Sequence, residues 1–162
     1  VRQPLTNLMS EPCFYCEGEG HLLSRRSICY AIYREVLREA WERGVVLCGL
    51  SAGSVCWYEG GVTDSFGNQL QTLTGCLGLI PGSHCPHYDG ESQRRPAYQR
   101  FVAQGELTAG MAADDGVGLK YSGTELVEVV SSRPDARAWR VSSKDGQAVE
   151  EEIVPRYLGP RC

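Results

Sequence analysis

The chain has 162 residues, enough for one domain with a hydrophobic core of its own. Its composition, 42% hydrophobic and 22% charged, excludes a disordered chain, and 16 Lys and Arg against 20 Asp and Glu leave a net charge of −4 with no basic face for nucleic acid. No apolar run approaches the ~20 residues that cross a bilayer, so neither a nucleic-acid nor a membrane partner is expected.

In chain order, residues 1–12 read as an irregular start or a helical turn, with Pro4, Asn7 and Pro12 around a short apolar patch. Phe14-Tyr15-Cys16 suggests a short buried strand, followed by a turn at Glu17-Gly18-Glu19-Gly20. Residues 31–43 predict a helix. Tyr33, Val36, Leu37, Ala40 and Trp41 recur at i, i+3, i+4, i+7 and i+8, charged residues lie outside them, and Gly44 is placed to stop it. Val45 to Leu50 is a continuous apolar run, the pattern of a strand covered on both faces. Residues 59–75 are turn-rich and read as a loop. A short buried strand is expected between Leu77 and His87, and a loosely periodic helix between Ser92 and Gln104. Beyond it, short strands are expected at 107–113, 116–121, 125–130, 138–142 and 149–154, punctuated by Gly123, Pro134-Asp135 and Asp145-Gly146. Helix–strand alternation in the first half predicts α/β with a parallel sheet, and the second half adds antiparallel strands.

Eight cysteines occur: Cys13, Cys16, Cys29, Cys48, Cys56, Cys76, Cys85 and Cys162. Cys48 and Cys56 sit in apolar runs, where a free thiol packs as a small hydrophobe. The chain begins Val1-Arg2-Gln3-Pro4, with no apolar leader in view. Reduced cysteines in a cytoplasmic protein are therefore expected. Cys13-x-x-Cys16, with Cys85, His84 and His87, has some zinc-like character but lacks a second closely spaced Cys pair.

The strongest chemical signal is Gly49-Leu50-Ser51-Ala52-Gly53 directly after the Val45–Leu50 run. A strand leading into Gly-x-Ser-x-Gly is the nucleophile-elbow pattern. The tight turn lifts the Ser hydroxyl clear of the sheet, and the Ala52 N–H that follows can face an oxyanion. A serine nucleophile needs a base and an orienting acid. His84 and His87 flank Cys85-Pro86 at the end of a strand candidate, where α/β sites form. Glu59, Asp64, Asp89, Asp114 and Asp115 all lie near turns, and spacing alone does not choose the acid among them.

These segments resemble peptidase E, also called dipeptidase E, a family of serine peptidases related to cyanophycinase. The likeness is carried by VVLCGLSAGSVCWYEGGVTDSFG (45–67), PGSHCPHYDGE (81–91), AADDGVGL (112–119) and GTELVEVVSSRPDARAWRV (123–141). It covers residues 13–16 and 34–158. The resemblance implies a three-layer α/β fold with a parallel sheet, of the class I glutamine amidotransferase-like (flavodoxin-like) type. Residues 1–162 would then form a single partial domain, its first βα units missing and its C-terminal strands an antiparallel extension. Such a sheet would expose an unpaired edge, and self-association through it is expected.

The resemblance also implies a catalytic set: Ser51 as nucleophile, His87 as general base and Asp64 as the acid. Ala52 and the position of Glu19 would supply the oxyanion donors. Arg94 and Arg95 are both candidates for binding a substrate carboxylate, since an arginine fork matches a carboxylate. The implied reaction is hydrolysis of small peptides with an N-terminal aspartate, with no metal or cofactor. One departure stands out. Where the family has Gly-Gly-Gly-Asn, this chain has Glu17-Gly18-Glu19-Gly20, which sets a carboxylate beside a developing negative charge. A catalytically impaired homologue of the same fold is therefore the alternative expectation.

Overall fold

The structure is a computed structural model that describes residues 10–12, 21–67 and 69–159. The strand expected at 14–16 and the turn at 17–20, Glu19 included, lie outside the described residues. The chain divides into two compact units, Val1–Leu47 and Cys48–Cys162.

In the first unit, β1 (Ser10–Pro12) pairs antiparallel with β2 (His21–Leu23), and α1 spans Arg25–Glu42. The helix begins six residues before the periodic stretch that announces it, because Ser24 caps it. The Ser24 side chain accepts the Ser27 N–H at 3.1 Å. Its end is as expected. Gly44 takes a left-handed φ of 75°, and the N–H groups of Gly44 and Val45 return to the carbonyls of Trp41 and Ala40.

The apolar run from Val45 to Leu50 does not form a strand. A doubly covered strand needs ladder partners and two packed faces, and no described strand pairs with this run. Val46 is 89% exposed and Leu50 90% exposed, the opposite of the expected burial.

The second unit is built on a six-stranded mixed sheet, order β10-β9-β6-β5-β3-β4. Its strands are β3 (Gly60–Thr63), β4 (Gln71–Thr74), β5 (Ser83–Cys85), β6 (Gly110–Ala113), β9 (Ala138–Lys144) and β10 (Gln147–Ile153). β3, β5 and β6 run parallel at the centre, while β4 on one edge and the β9–β10 hairpin on the other are antiparallel. The α/β expectation holds at this level. The region expected to be a loop at 59–75 instead contributes β3 and β4. Gly60 and Gly61 are strand residues, not turn residues. A Cβ on Gly60 would meet the Leu73 carbonyl, and one on Gly61 the His84 carbonyl, so both glycines permit close strand approach.

Helix α3 (Arg94–Ala103) joins β5 to β6 as the crossover of a parallel pair. Ala97, Tyr98, Phe101 and Val102 form its buried face and pack on β9 and β10. With Val62, Cys85, Tyr88, Ala112 and Val141 they make the core. Tyr98 spends its polar end well, its hydroxyl meeting the Ser83 hydroxyl at 2.8 Å. A separate three-stranded sheet holds β7 (Val117–Ser122), β8 (Glu125–Ser131) and the short β11 (Arg156–Tyr157), which pairs parallel to β8.

Candidate active site

Three segments of the second unit converge. The first is the turn carrying Ser51, which precedes a four-residue helix, α2 (Ala52–Val55). Ser51 has φ 51° and ψ −121°, a conformation that side-chain-bearing residues rarely adopt. The surroundings hold it there. The N–H groups of Ser54 and Val55 donate to the Ser51 carbonyl at 2.8 and 3.2 Å, and the Ser54 hydroxyl donates to the same oxygen at 2.5 Å. Buried Val55 anchors the turn. Of the two glycines of the motif, only Gly49 is sterically required. A Cβ there would run into the Gly53 carbonyl, whereas a Cβ on Gly53 would meet nothing within 4 Å.

The second and third segments follow adjacent parallel strands. Cys85 and Ala112 are partners in the β5–β6 register, so the chain leaves both strands at the same end. His87 lies two residues past β5 and Asp115 two residues past β6. Ligand sites of α/β sheets form at this carboxyl end. The Tyr88 N–H donates to the Ala113 carbonyl at 3.0 Å and holds the two loops together. His87 itself has φ 57°, so its ring is aimed by a second strained backbone position.

His87 Nδ1 lies 2.6 Å from Asp115 Oδ1, and Nε2 lies 2.8 Å from Ser51 Oγ. An ionised carboxylate only accepts, so Nδ1 carries the proton and donates it to Asp115. Nε2 is then the acceptor for the Ser51 O–H. The arrangement has the connectivity of a nucleophile, a base and an orienting acid.

The other candidates find other partners. His84 is buried in the sheet, stacked on Tyr58 with ring centroids 4.8 Å apart, and its Nδ1–H donates to the Met111 carbonyl at 2.9 Å. Burial above all pushes its imidazole down to about 4, although the Met111 carbonyl opposes this, so it stays neutral. Asp64, the acid that the resemblance implies, pairs with Arg94. Its Oδ2 accepts from Arg94 Nη2 at 3.3 Å, and Asp115 occupies the place beside the ring. Glu59 accepts the Gly82 N–H and Asp114 the Arg137 N–H. Burial raises the Asp114 carboxyl above its usual range, against the pull of that N–H.

The two arginines separate clearly. Arg94 is buried, and its Nε donates to Glu91 at 2.7 Å. It lines a pocket together with Ser51, Ala52, Thr63, Asp64 and Pro86. Arg95 has different partners, in β9 and β10. Its guanidinium lies 4.2 Å from the Trp139 ring centroid and donates to Glu150 at 2.6 Å. Its role is to tie α3 to β9 and β10 by stacking and an ion pair. Among the described residues no group of His, Cys, Asp and Glu is arranged to hold a metal ion. Cys13 and Cys16 are outside that set, and Cys29, Cys48, Cys56 and Cys85 are free thiols. Among the described residues, no helix is long and apolar enough to cross a membrane.

Sequence reasoning placed Asp115 among five possible acids and did not single it out. The signal that finds it is topological. The strand after a crossover helix lies beside the strand before it, so an acid just past β6 faces a histidine just past β5.

The chain is 48% identical over 124 residues to an uncharacterized peptidase, YgaJ, of Bacillus subtilis strain 168. The match covers 76% of this chain and 53% of that protein, so the chain spans about half the length of its curated relative. No solved structure matches. The model of Peptidase family S51 matches residues 27–129, which include Ser51, His87 and Asp115. With well over half its length inside that match, the chain belongs to peptidase family S51.

Proposed function

We propose that this chain is a serine-type peptidase that hydrolyses short peptides bearing an N-terminal aspartate. Ser51 is the nucleophile, His87 the general base and Asp115 the orienting acid. The observation that carries this reading is the continuous chain of contacts from Ser51 Oγ through the His87 ring to Asp115, at 2.8 and 2.6 Å. His87 Nε2 takes the Ser51 proton as Oγ attacks the peptide carbonyl, and returns it to the leaving amine. Asp115 keeps the ring in the tautomer this requires and stabilises the imidazolium that forms. The Ala52 N–H, next after the nucleophile, supplies a donor to the oxyanion. The ester of Ser51 is then hydrolysed by water with the same base.

Arg94 is the proposed recognition group for the aspartyl carboxylate. It is the arginine that shares a pocket with Ser51, and its bonds to Glu91 and Asp64 fix its fork while leaving donors to spare. Asp64 is thereby proposed to position the specificity residue, not the base. The sheet order, with the site at the carboxyl ends of β5 and β6, supports a class I glutamine amidotransferase-like arrangement. The free thiols support a reducing, cytoplasmic setting.

A second reading, an impaired homologue of the same fold, is favoured by one observation. The run leading into Ser51 is not a strand, and Leu50, next to the nucleophile, is 90% exposed. An elbow supported, among the described residues, only on its C-terminal side holds its strained serine less firmly. Hydrolysis of an N-terminal aspartyl chromogenic amide by the wild-type chain and by Ser51→Ala decides between the two. Turnover that vanishes in Ser51→Ala supports the peptidase, and equal rates remove Ser51 as nucleophile. No turnover by either protein, against this and other N-terminal residues, supports the impaired homologue.

A further inference from the structure

We infer that Asp89 and Arg133 form a clamp that sets the position of Asp115, and that Gly90 provides the space its carboxylate occupies. The inference rests on the reading of Asp115 as the acid that orients His87. The Asp115 side chain is 45% exposed and lies in a turn, where a carboxylate has several rotamers open to it. Orienting the base requires one of them.

The clamp grips the backbone of Asp115 from both sides. Asp89 Oδ1 accepts the Asp115 N–H at 2.7 Å. Asp89 Oδ2 accepts from Arg133 Nη1 at 2.8 Å, and the same Nη1 donates to the Asp115 carbonyl at 3.3 Å. One ion pair therefore ties down both main-chain polar groups of Asp115, its N–H and its C=O. Burial alone would raise the Asp89 carboxyl, but the Asp115 N–H and the Arg133 guanidinium outweigh it and hold Asp89 below the usual carboxylate range.

Arg133 is itself fixed in the loop after β8. The Ser131 hydroxyl accepts the Arg133 N–H at 2.9 Å and donates to the Arg133 carbonyl at 2.7 Å. The Ser132 N–H donates to the Gly116 carbonyl, next to Asp115, at 2.9 Å. Gly90 adds a steric condition, since a Cβ there would land on Asp115 Oδ2. Neither Asp89, Gly90 nor Arg133 lines the pocket beside Ser51. They are positioning residues that act through Asp115, and they give the three-stranded sheet a function in the site.

The test uses the full chain with Asp89→Ala, Arg133→Ala, Arg133→Lys, Gly90→Ala, Asp115→Ala and the double variant Asp89→Ala/Asp115→Ala. Two readouts are taken: kcat and KM on the aspartyl chromogenic amide, and the far-downfield proton resonance of the short His87 Nδ1–H bond to Asp115. Circular dichroism establishes that each variant is folded. Asp89→Ala, Arg133→Ala and Gly90→Ala should each lower kcat about 10- to 100-fold, as displacements near 1 Å do. KM should stay within about twofold, because none of the three touches substrate. The downfield resonance should be lost, and Arg133→Lys should recover part of both signals. The double variant should be no slower than Asp115→Ala, because the clamp acts only through that residue.

Retention of kcat and of the resonance in Asp89→Ala and Arg133→Ala overturns the clamp. So does a further loss from Asp89→Ala in the Asp115→Ala background equal to its loss in wild type. If instead Asp115→Ala itself keeps both signals, the reading of Asp115 is what fails. In a chain without turnover the resonance decides alone. Its presence in wild type and loss in folded Asp89→Ala supports the clamp, and its persistence there overturns it.

Discussion

The sharpest consequence of the site geometry is that two aspartates near Ser51 should fail in different ways when neutralised. Asp115 accepts the Nδ1–H of His87 at 2.6 Å, while Asp64 accepts from Arg94 at 3.3 Å. In Asp115→Asn the amide can donate to Nδ1, which moves the ring proton to Nε2. A protonated Nε2 cannot accept the Ser51 hydroxyl proton, so the base is disabled without any change in shape. The corresponding substitution in serine-protease triads costs about 10⁴ in kcat, equivalent to about 5.5 kcal/mol of transition-state stabilisation. We expect Asp115→Asn to lower kcat by about 10³ to 10⁴ with KM nearly unchanged. Asp64→Asn removes one of two carboxylates that hold Arg94 and leaves the His87 contacts intact. Its effect should be about 10-fold or less and should fall mainly on KM for an aspartyl substrate. Steady-state kinetics on the chromogenic amide, with melting curves to establish folding, measures both. A kcat loss in Asp64→Asn that matches or exceeds that of Asp115→Asn would refute the assignment and return the acid to Asp64.

Two further outcomes follow from groups around the site. The folded chain holds His84 neutral, with its imidazole pushed from 6.5 to about 4 by burial, so the unfolded chain binds a proton that the folded one refuses between those values. Stability is therefore full above pH 6.5 and falls as the pH drops toward 4, by ~3 kcal/mol at 1.36 kcal/mol per unit. Unfolding free energies from urea titrations of wild type and His84→Gln across pH 4–7 should converge by that amount on acidification, and parallel curves would show that His84 does not carry the effect. At the elbow, Gly49→Ala drives a Cβ into the Gly53 carbonyl and should abolish hydrolysis, whereas Gly53→Ala meets open space in a helical turn. The latter should keep its activity and gain up to ~1 kcal/mol from helix propensity and lost chain entropy. Equal inactivation by the two would mean that the motif glycines matter for a reason other than packing.

Much of the fold was legible because its elements are local. The strands from β6 to β10 alternate or end at Gly and Asp-Gly turns, and they form within a few residues of where the pattern puts them. Helix α3 forms where Tyr98, Phe101 and Val102 predict it, since those three side chains have a sheet to cover. The failures share a cause. Gly60 and Gly61 look like turn residues in isolation, yet their missing side chains serve the close approach of Leu73 and His84 from other strands. Val45 to Leu50 looks like a buried strand, yet a strand exists only with a ladder, and no described strand pairs with it. In both cases the deciding partner is remote in sequence, and composition carries no record of it.

The candidate site shows the same division more sharply. Ser51 announces itself because a strained turn needs Gly49 nearby, which is a local requirement written within two residues. His87 was within reach because it follows a short strand. The carboxylate beside its ring was not, because five carboxylates near turns are equivalent until the sheet order is known. Once β5 and β6 are parallel neighbours in the Cys85–Ala112 register, Asp115 falls beside His87 although 28 residues separate them. Asp64, nearer to Ser51 along the chain, leaves from β3 and is captured by Arg94. Proximity in sequence to Ser51 is therefore a poor guide to which carboxylate reaches the imidazole in this fold. The better guide is which loops leave the same end of adjacent parallel strands, because a carboxylate can orient an imidazole only when the sheet delivers both to one place.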